Sequence, residues 1–407
     1  MTPEAPARLG PVAVVACSSY DEPTVLAAVS RAVDLLGGIS SFVKPGERVL
    51  LKPNLLADAD PDTAIATHPT VAAAVSTLLK RAGATGLVAD TPGANVPFTR
   101  AGLTRLYRAT GYESAADAGR LNLNWDTDSV SLAHAEGRLV KRFEVMRPVA
   151  EADAVIALPK LKTHVLMTLT GATKILFGVI PGLAKVGLHA NLIDPGHFAD
   201  MLLDLCALVH PRLYVLDAVL AMEGNGPGRH GRPRKLDAII AGTDPVAIDL
   251  VACELLGVDP NRVPTLVAAR ARGLWSGAPH AVTVLGTPLD SIRVRDFALP
   301  ASVADPQGGR RLMMPLHRVA RPLVAGLLTT RPAPNPERCT GCGACVRACP
   351  VGAIHVRQRL AVVDDALCVR CYCCHELCAQ AAVDLRPARA RALLRWLGLD
   401  AAPAAWR

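Results

Sequence analysis

The sequence predicts an α/β protein with a mainly parallel, open sheet and flanking helices, followed by a small C-terminal α+β domain. Short β-branched runs alternate with helical stretches from residue 12 to about residue 290. The runs are nearly continuously apolar, which is typical of strands in a parallel sheet that is buried on both faces. A change of composition sets the last fifth of the chain apart, because nine of the 12 cysteines lie between Cys339 and Cys378.

Seven short apolar runs predict the strands of the sheet. Val, Leu, Ile and Ala dominate them, and the second run is broken by Pro53, which cannot donate a hydrogen bond to a neighbouring strand. In chain order the predicted strands are Val12–Ala16, Arg48–Lys52, Gly86–Asp90, Ala154–Leu158, Leu213–Leu216, Ala238–Ala241 and Val282–Leu285.

The stretches between these runs predict the helices. The first is Pro23–Leu36, which ends at Gly37 and Gly38. The second begins at Thr67-His-Pro69 and runs to Arg81, with Thr67 as the expected N-cap and Pro69 in the first turn. Further helices are predicted near Thr99–Thr110, Gly171–Ile180, His197–Val209 and Pro245–Leu256.

The chain divides into four predicted segments. Residues 10–300 form the α/β domain, and residues 301–336 form a linker with a short amphipathic helix at Leu312–Leu328 and a stiff proline spacer at Pro332–Pro336. Residues 337–387 form the cysteine-rich domain, and residues 388–407 form a basic tail with a helix at Ala388–Leu397. The short spacer predicts that the cysteine-rich domain stays close to the large domain.

Composition and charge argue against several classes of protein. The formal net charge is +8, but only 4% of the residues are aromatic, and no Lys/Arg-and-aromatic platform for nucleic acid is present. The charge favours solubility, or steering toward an acidic redox partner or an anionic substrate. No apolar stretch approaches the roughly 20 residues that cross a bilayer. The first residues show no signal pattern, so we expect a cytoplasmic protein.

Two copies of one cysteine spacing dominate the C-terminal part. Both read C-x2-C-x2-C-x3-C, the spacing with which thiolates hold cubane iron–sulfur clusters. The first three cysteines of each run lie on one loop, whereas the fourth begins a helix and ligates the other cluster. The sequence thus predicts two [4Fe–4S] clusters, cluster I held by Cys339, Cys342, Cys345 and Cys378, and cluster II by Cys368, Cys371, Cys374 and Cys349.

Other interpretations of the cysteines fit less well. Zinc sites prefer separated pairs of ligands, and a disulfide framework suits a small secreted domain. Cys373 lies between two predicted ligands and has no required role, while Cys17, Cys206 and Cys253 lie in apolar runs and are expected in the core. Residues 335–385 resemble bacterial two-cluster ferredoxins, except that Cys378 is followed by Ala379 rather than proline.

Polar residues cluster where the predicted strands end. In an open parallel sheet, ligands bind beyond the carboxyl ends of the strands. Four lysines and two histidines fall within 30 residues beside glycine-rich backbone, a set that suits a phosphate or a carboxylate. We predict substrate contacts from Lys52, Asn54, Lys160, Lys162, Lys174, Lys185, Glu223, Asn225 and Asp244, and catalytic roles for His164, His189 and Asp90.

Each of these residues also has a purely structural interpretation. Asp244 precedes Pro245 and is an N-cap by default, Asp90 at a strand end is a turn former, and Glu223 opens a glycine-rich turn. Established motifs give no further guidance. The chain lacks G-x-G-x-x-G after its first strand and a P-loop, and it lacks G-x-S-x-G and H-E-x-x-H.

An ordered set of strings resembles a widespread prokaryotic family, a domain of unknown function fused to a two-cluster ferredoxin. The strings are Leu-Lys-Pro-Asn, Pro-Lys-Leu-Lys-Thr-His, Lys-Ile-Leu-Phe-Gly, Met-Glu-Gly-Asn-Gly-Pro, Gly-Thr-Asp-Pro-Val-Ala-Ile-Asp and Cys-Tyr-Cys-Cys-His-Glu. The resemblance covers roughly residues 10–290 and 335–385. It implies the fused architecture and an iron–sulfur redox role, and it implies no particular substrate.

Three functional hypotheses remain open at this point. In the first, the protein is an iron–sulfur oxidoreductase that passes single electrons from a soluble redox partner to an anionic substrate, or to a further cofactor that no motif identifies. In the second, it is an electron carrier of the polyferredoxin type that docks a partner reductase. In the third, it assembles a cofactor or a metal centre, with lysines and histidines holding the precursor.

Overall fold

The computed structural model describes residues 9–93, 96–192, 194–278, 281–303 and 330–386, without the side chains at positions 183, 186, 189 and 190. The helices predicted at Leu312–Leu328 and Ala388–Leu397 lie outside the described residues, as does the side chain of His189. No helix among the described residues is long and apolar enough to cross a membrane.

The large domain follows the predicted alternation of strands and helices. Its strands are β1 (Val12–Ala16), β2 (Arg48–Pro53), β3 (Thr85–Val88), β4 (Ser129–Ala133), β5 (Arg142–Met146), β6 (Ala154–Leu158), β7 (Lys160–His164), β8 (Thr168–Thr170), β9 (Leu213–Gly224), β10 (Gly231–Gly242) and β11 (Val284–Gly286). Its helices are α1 (Glu22–Asp34), α2 (Pro69–Arg81), α3 (Arg100–Ala109), α4 (Tyr112–Asp117), α5 (Arg147–Glu151), α6 (Gly182–Asn191), α7 (Pro195–Val209), α8 (Pro245–Leu256) and α9 (Pro264–Ala271).

One mixed sheet organises this domain, with the strand order β11-β1-β10-β9-β6-β2-β3. The strands β9, β6, β2 and β3 run parallel, and β11 runs parallel to β1. Only β10 on this path is antiparallel to its neighbours, while β7 pairs with β9 and with β8. The predicted mainly parallel sheet with flanking helices is therefore confirmed.

Helices cover both faces of the sheet. Alternate residues of the first strand point to opposite sides, with Val12 and Val14 in one apolar cluster and Ala13 in the other. The first cluster packs under α7, α8 and α9, and the second packs under α1, α2 and α3. Burial on both faces explains why the strands are apolar without alternation.

Two strands are far longer than predicted. β9 and β10 each span 12 residues and form an antiparallel pair. The prediction that β9 ends at Leu216 is wrong. Asp217 has the polar character of a residue that ends a strand, but it lies inside the sheet, where its carboxylate forms a buried ion pair with Lys160. A charged residue can continue a buried strand when a partner of opposite charge is buried with it.

Two helix starts also differ from the prediction. His68, rather than Thr67, caps α2 and accepts a hydrogen bond from the amide of Thr70 through Nδ1. The Thr67 hydroxyl instead donates to the carbonyl of Leu158 at 2.7 Å. The segment predicted as a helix at Gly171–Ile180 is a 3₁₀ helix at Lys174–Val179.

The C-terminal domain is an internal repeat with an offset of 29 residues. Its elements are β12 (Arg331–Pro334), α10 (Ala344–Arg347), β13 (Ile354–Arg357), β14 (Leu360–Val363), α11 (Cys373–Glu376) and β15 (Val383–Arg386). β12 pairs with β15 and β13 with β14, so the two halves exchange strands. The backbone angles repeat as well. Left-handed φ values of 46° to 72° occur at three pairs of equivalent positions, which are Gly341 and Arg370, Gly343 and Tyr372, and Gly352 and Ala381.

The proline spacer belongs to this repeat. Residues Arg331–Pro334 form an edge strand rather than a free linker, so the ferredoxin-type fold begins before residue 337. Proline is tolerated at the edge of a sheet, where its missing N–H need not face a partner.

Candidate functional site

A cavity of about 90 Å³ lies where the carboxyl ends of the strands meet the C-terminal domain. Both domains form its wall. The large domain contributes Lys52, Asn54, Leu56, Asp90, Thr91, Gly93, Lys162, His164, Thr170, Lys174, Ile175, Phe177, Gly178, Lys185 and Pro227. The C-terminal domain contributes Ala348, Cys373, Glu376 and Leu377.

Lys52 is held in the wall by a buried ion pair. Its ammonium donates to Asp90 Oδ1 at 2.6 Å and to the carbonyl of Pro53 at 2.9 Å. The other oxygen of Asp90 accepts the amide of Leu55 at 2.6 Å. Gly178 lies so close that any side chain there would overlap both members of the pair. Asp90, predicted as catalytic, is thus engaged in positioning Lys52.

Among the described residues, Lys162 and Lys185 have no carboxylate as a hydrogen-bond partner. Lys162 Nζ donates to Asn54 Oδ1 at 2.9 Å and to the carbonyl of Ile65 at 2.7 Å. Lys185 Nζ donates to two backbone carbonyls, at 2.5 and 2.9 Å. A lysine ammonium has three donors, so each of these lysines keeps one N–H beyond the two that its partners accept.

Lys174 enters the cavity from the start of the 3₁₀ helix. Asp249 of α8 positions this helix, because its carboxylate accepts the amides of Ala172 at 2.6 Å and Thr173 at 3.1 Å. These two amides therefore bond to the carboxylate of Asp249, and the helix begins only at Lys174. The ammonium of Lys174 lies 5.6 Å from the centre of the Phe177 ring.

Burial lowers the pKa of all four lysines of the wall. The pKa of Lys162 falls well below its usual range because burial is reinforced by the charges of Lys174 and Lys160. Burial also lowers the pKa of Lys52 and Lys174, although Asp90 and Glu376 oppose the effect. The pKa of Lys185 falls to about 7. An anion in the cavity would restore the charged forms.

This arrangement predicts pH-dependent anion binding. The pKa of Lys185 is lowered to about 7, so its ammonium is lost as pH rises through 7 and the free protein must take up a proton to bind an anion. We expect the affinity for sulfate, which does not itself titrate, to fall between about pH 7 and pH 9 with net proton uptake. Calorimetry in two buffers of different ionisation enthalpy measures this uptake. A pH-independent affinity, or a Lys185→Met variant with the wild-type profile, would contradict the assignment.

His164 faces a carboxylate of the C-terminal domain. Its Nδ1 accepts the amides of Leu166 at 3.1 Å and Met167 at 3.3 Å, which places the ring proton on Nε2. Nε2 lies 3.3 Å from Oε1 of Glu376. Burial raises the pKa of Glu376 to about 7, against the charges of Lys174 and Lys162.

The two domains meet closely around the cavity. His375 bridges them, since Nδ1 lies 2.6 Å from the carbonyl of Val383 and Nε2 lies 3.1 Å from the carbonyl of Asn225. Leu377 packs against Gly93, where a side chain would come within 2.9 Å of it. These contacts fix the second cysteine loop against the wall of the large domain.

The thiols of the C-terminal domain have neighbours from both cysteine runs. Burial raises the pKa of Cys345, and the neighbouring charges of Cys378, Cys339 and Cys342 raise it further. Burial also raises the pKa of Cys374, whose charged neighbours are Cys371, Cys368, Cys345 and Cys349.

Backbone amides support the same thiols. Equivalent amides donate to Cys349 Sγ and Cys378 Sγ, both at 3.2 Å, and a third donates to Cys339 Sγ at 3.4 Å. Together with the left-handed loop residues, these donors fit thiolates that hold an iron–sulfur cluster. No three His, Cys, Asp or Glu side chains among the described residues form a group that could hold a single metal ion.

Four predicted substrate contacts lie outside the cavity wall. Lys160 donates to Asp217 at 2.8 Å and to the Tyr20 hydroxyl at 2.7 Å. The other three have structural partners. Glu223 pairs with Arg232, Asn225 accepts the amide of Ala301 through Oδ1, and Asp244 caps α8.

Sequence reasoning misses the contribution of the second cysteine run to the wall. The spacing assigns no required role to Cys373 and does not single out Glu376, yet both line the cavity. A signal is present in the internal repeat. At the positions where the first run has Gly343, Ala344, Val346 and Arg347, the second has Tyr372, Cys373, His375 and Glu376. Such a change within a repeat indicates that the second loop faces a different surface.

Comparison with known proteins identifies both domains. The profile of a domain of unknown function, DUF362, matches residues 49–254, and that of a 4Fe–4S binding domain matches residues 332–355. The chain belongs to the DUF362 family. The resemblance to such a domain fused to a ferredoxin is thereby confirmed, and this DUF362 protein carries an iron–sulfur domain of the electron-transfer type.

Relatives cover the chain to different extents. A thylakoid-associated protein of Synechocystis sp. is 34% identical over 293 residues, which are 71% of this chain and 87% of that protein. One component of an ion-translocating oxidoreductase complex from Methanosarcina acetivorans is 44% identical over 48 residues, 12% of this chain and 18% of that protein. The lactate racemase apoprotein of Thermoanaerobacterium thermosaccharolyticum has a TM-score of 0.35 and 13% identity, covering 58% of this chain and 54% of that one.

Proposed function

We propose that this DUF362 protein is an iron–sulfur oxidoreductase that reduces or oxidises a small anion held in the cavity between its two domains. The observation that carries the proposal is the shared wall of that cavity. Lysines of the large domain form one side, and Cys373, Glu376 and Leu377 of the second cysteine loop form the other. A bound anion would thus lie against the loop that holds Cys371 and Cys374.

Two [4Fe–4S] clusters would supply single-electron transfer in this scheme. The crossed ligation predicted from the spacing is supported by the thiol neighbours of Cys345 and Cys374. Crossing places Cys349 with the second loop, so cluster II would lie on the cavity side of the domain. The 48-residue match to a component of an oxidoreductase complex supports the same electron-transfer role.

The lysines favour an anion as the occupant of the cavity. The ammonium groups of Lys52, Lys162 and Lys185 each retain one donor beyond their partners in the described part of the chain. Several N–H donors that converge in a buried space suit a carboxylate or another oxyanion. The lysines would bind and orient the anion, and its charge would offset the cost of their burial.

The size of the cavity limits the anion. Its volume is about 90 Å³, smaller than the engineered cavity of about 150 Å³ that binds one benzene molecule in another protein. We therefore propose a substrate of only a few non-hydrogen atoms.

His164 is the proposed hydrogen-bond donor beside the anion. Its two amide contacts hold Nδ1 as an acceptor, so the neutral ring carries its proton on Nε2, which lies 3.3 Å from Glu376 in the cavity wall. The histidine therefore offers an N–H donor where negative charge develops on an anion that gains electrons.

The test uses protein purified without oxygen. We expect about eight irons and eight acid-labile sulfides per chain, and a small anion in the extract when it is analysed by mass spectrometry. Adding that anion to the chemically reduced or oxidised protein should return the cluster absorbance to its starting state within a single turnover. Protein with full clusters and no anion, or an anion that leaves the clusters unchanged, would favour the electron-carrier hypothesis instead.

A further inference from the structure

The first cysteine loop is the exposed end of the C-terminal domain. Cys342 is the exposed cysteine of that loop, whereas Cys373 and Cys374 of the second loop are buried. The two loops therefore differ in access although they are copies of one repeat. Electrons that pass between a cavity and another protein need one buried end and one accessible end, and this domain has both.

Three arginines surround the exposed loop. Arg347 Nη1 donates to the carbonyl of Cys342 at 3.3 Å. The backbone of Arg359 lies over Gly341, where a side chain would come within 2.9 Å of it, and Arg357 ends β13 in the same hairpin. All three arginines are exposed.

No carboxylate in the described part of the chain neutralises these arginines. The ion pairs in the described part of this domain that involve arginine use Arg331, Arg338 and Arg370. Arg347, Arg357 and Arg359 thus have no carboxylate partner among the described residues. Glu337 is exposed near the start of the loop and offsets one charge, which leaves a formal excess of two positive charges.

The repeat shows that the charge is specific to the exposed half. The residue equivalent to Arg347 is Glu376, 29 positions later. Glu376 faces the lysines of the cavity, whereas Arg347 and the two neighbouring arginines are exposed and have no carboxylate partner among the described residues, so they complement an acidic surface. From this charge we infer that Arg347, Arg357 and Arg359 form the docking surface for a small acidic electron-transfer protein.

The inference rests on the iron–sulfur part of the proposed function and adds the partner. An acidic partner would be steered to the exposed loop by the arginines, which raises the association rate and makes it depend on salt. Each productive encounter would transfer one electron, so the partner must be a one-electron carrier.

A strongly acidic flavodoxin in its hydroquinone state is a suitable probe, since it loses one electron and becomes the semiquinone. We expect it to bind the holoprotein in calorimetry and to reduce it in stopped-flow absorbance, with a rate that falls steeply between 20 mM and 300 mM salt (about tenfold or more). The variant R347E/R357E/R359E should lose binding and at least about tenfold in rate at low salt.

A matched control separates local from total charge. The variant R81E/R138E/R142E changes the net charge equally at exposed residues of the large domain and should keep the wild-type behaviour. Equal losses in both variants, or a wild-type rate that salt does not change, would overturn the inference. Reduction of all variants by dithionite checks that their clusters are intact, and because no anion is needed, failure of docking is distinct from failure of the cavity proposal.

Discussion

Replacing Cys349 with alanine should reduce the iron content of the anaerobically purified protein from about eight to about four atoms. The expected loss is large because a cubane that has only three thiolates is exposed to solvent and to exchange at its fourth iron. Cys373→Ser is the matched control and should keep about eight irons, since Cys373 lines the cavity but is not a predicted ligand.

Pairs of substitutions identify which cluster Cys349 holds. If Cys349 and Cys374 belong to the same cluster, the double variant C349A/C374A should still hold about four irons, as each single variant does. The double variant C349A/C345A removes one ligand from each cluster and should hold almost none. The reverse pattern would show that each run holds its own cluster and that the crossed scheme is wrong.

Local sequence signals located most of the strands but not the ends of all of them. The bounds of β1, β6 and α8 agree with the prediction, because a continuous apolar run or a capping Asp-Pro pair marks them. The full length of β9 could not be predicted, since the groups that make Asp217 acceptable inside the sheet are distant in the chain. Lys160 lies 57 residues earlier, and the Tyr20 hydroxyl and the His68 amide donate to the same carboxylate. A partner at that separation leaves no local pattern.

The candidate site was predictable as a class and not as a set of residues. Lysines after the strand ends predict a basic cavity, and Lys52, Lys162, Lys174 and Lys185 line the cavity found there. Nothing in the local sequence distinguishes Lys160 from Lys162, although they are two residues apart in the same strand. The irregular register of β7 against β9 turns one toward Asp217 and the other toward Asn54.

That difference between two neighbouring lysines gives the second large expected effect. Lys160 is buried with the carboxylate of Asp217 at 2.8 Å, so its substitution leaves an unpaired buried charge. Breaking such a pair typically costs about 3–5 kcal/mol. Lys162 is equally buried, but its hydrogen bonds go to an amide oxygen and a carbonyl, and its pKa is strongly lowered. Removing it leaves no charge behind.

Lys160→Met should therefore unfold at a distinctly lower temperature, whereas Lys162→Met should unfold at the wild-type temperature or higher in calorimetry of anion-free protein. We expect the opposite ranking of the two variants for their content of bound anion. Lys162→Met should lose the small anion from the anaerobic extract, because a donor that converges on the cavity is gone, while its iron content stays at the wild-type level. If the Lys162→Met protein retains the anion, or loses as much stability as Lys160→Met, then Lys162 stabilises the fold and does not bind the anion. If the variant instead gains stability and loses the anion, the cost of burying Lys162 is explained by binding.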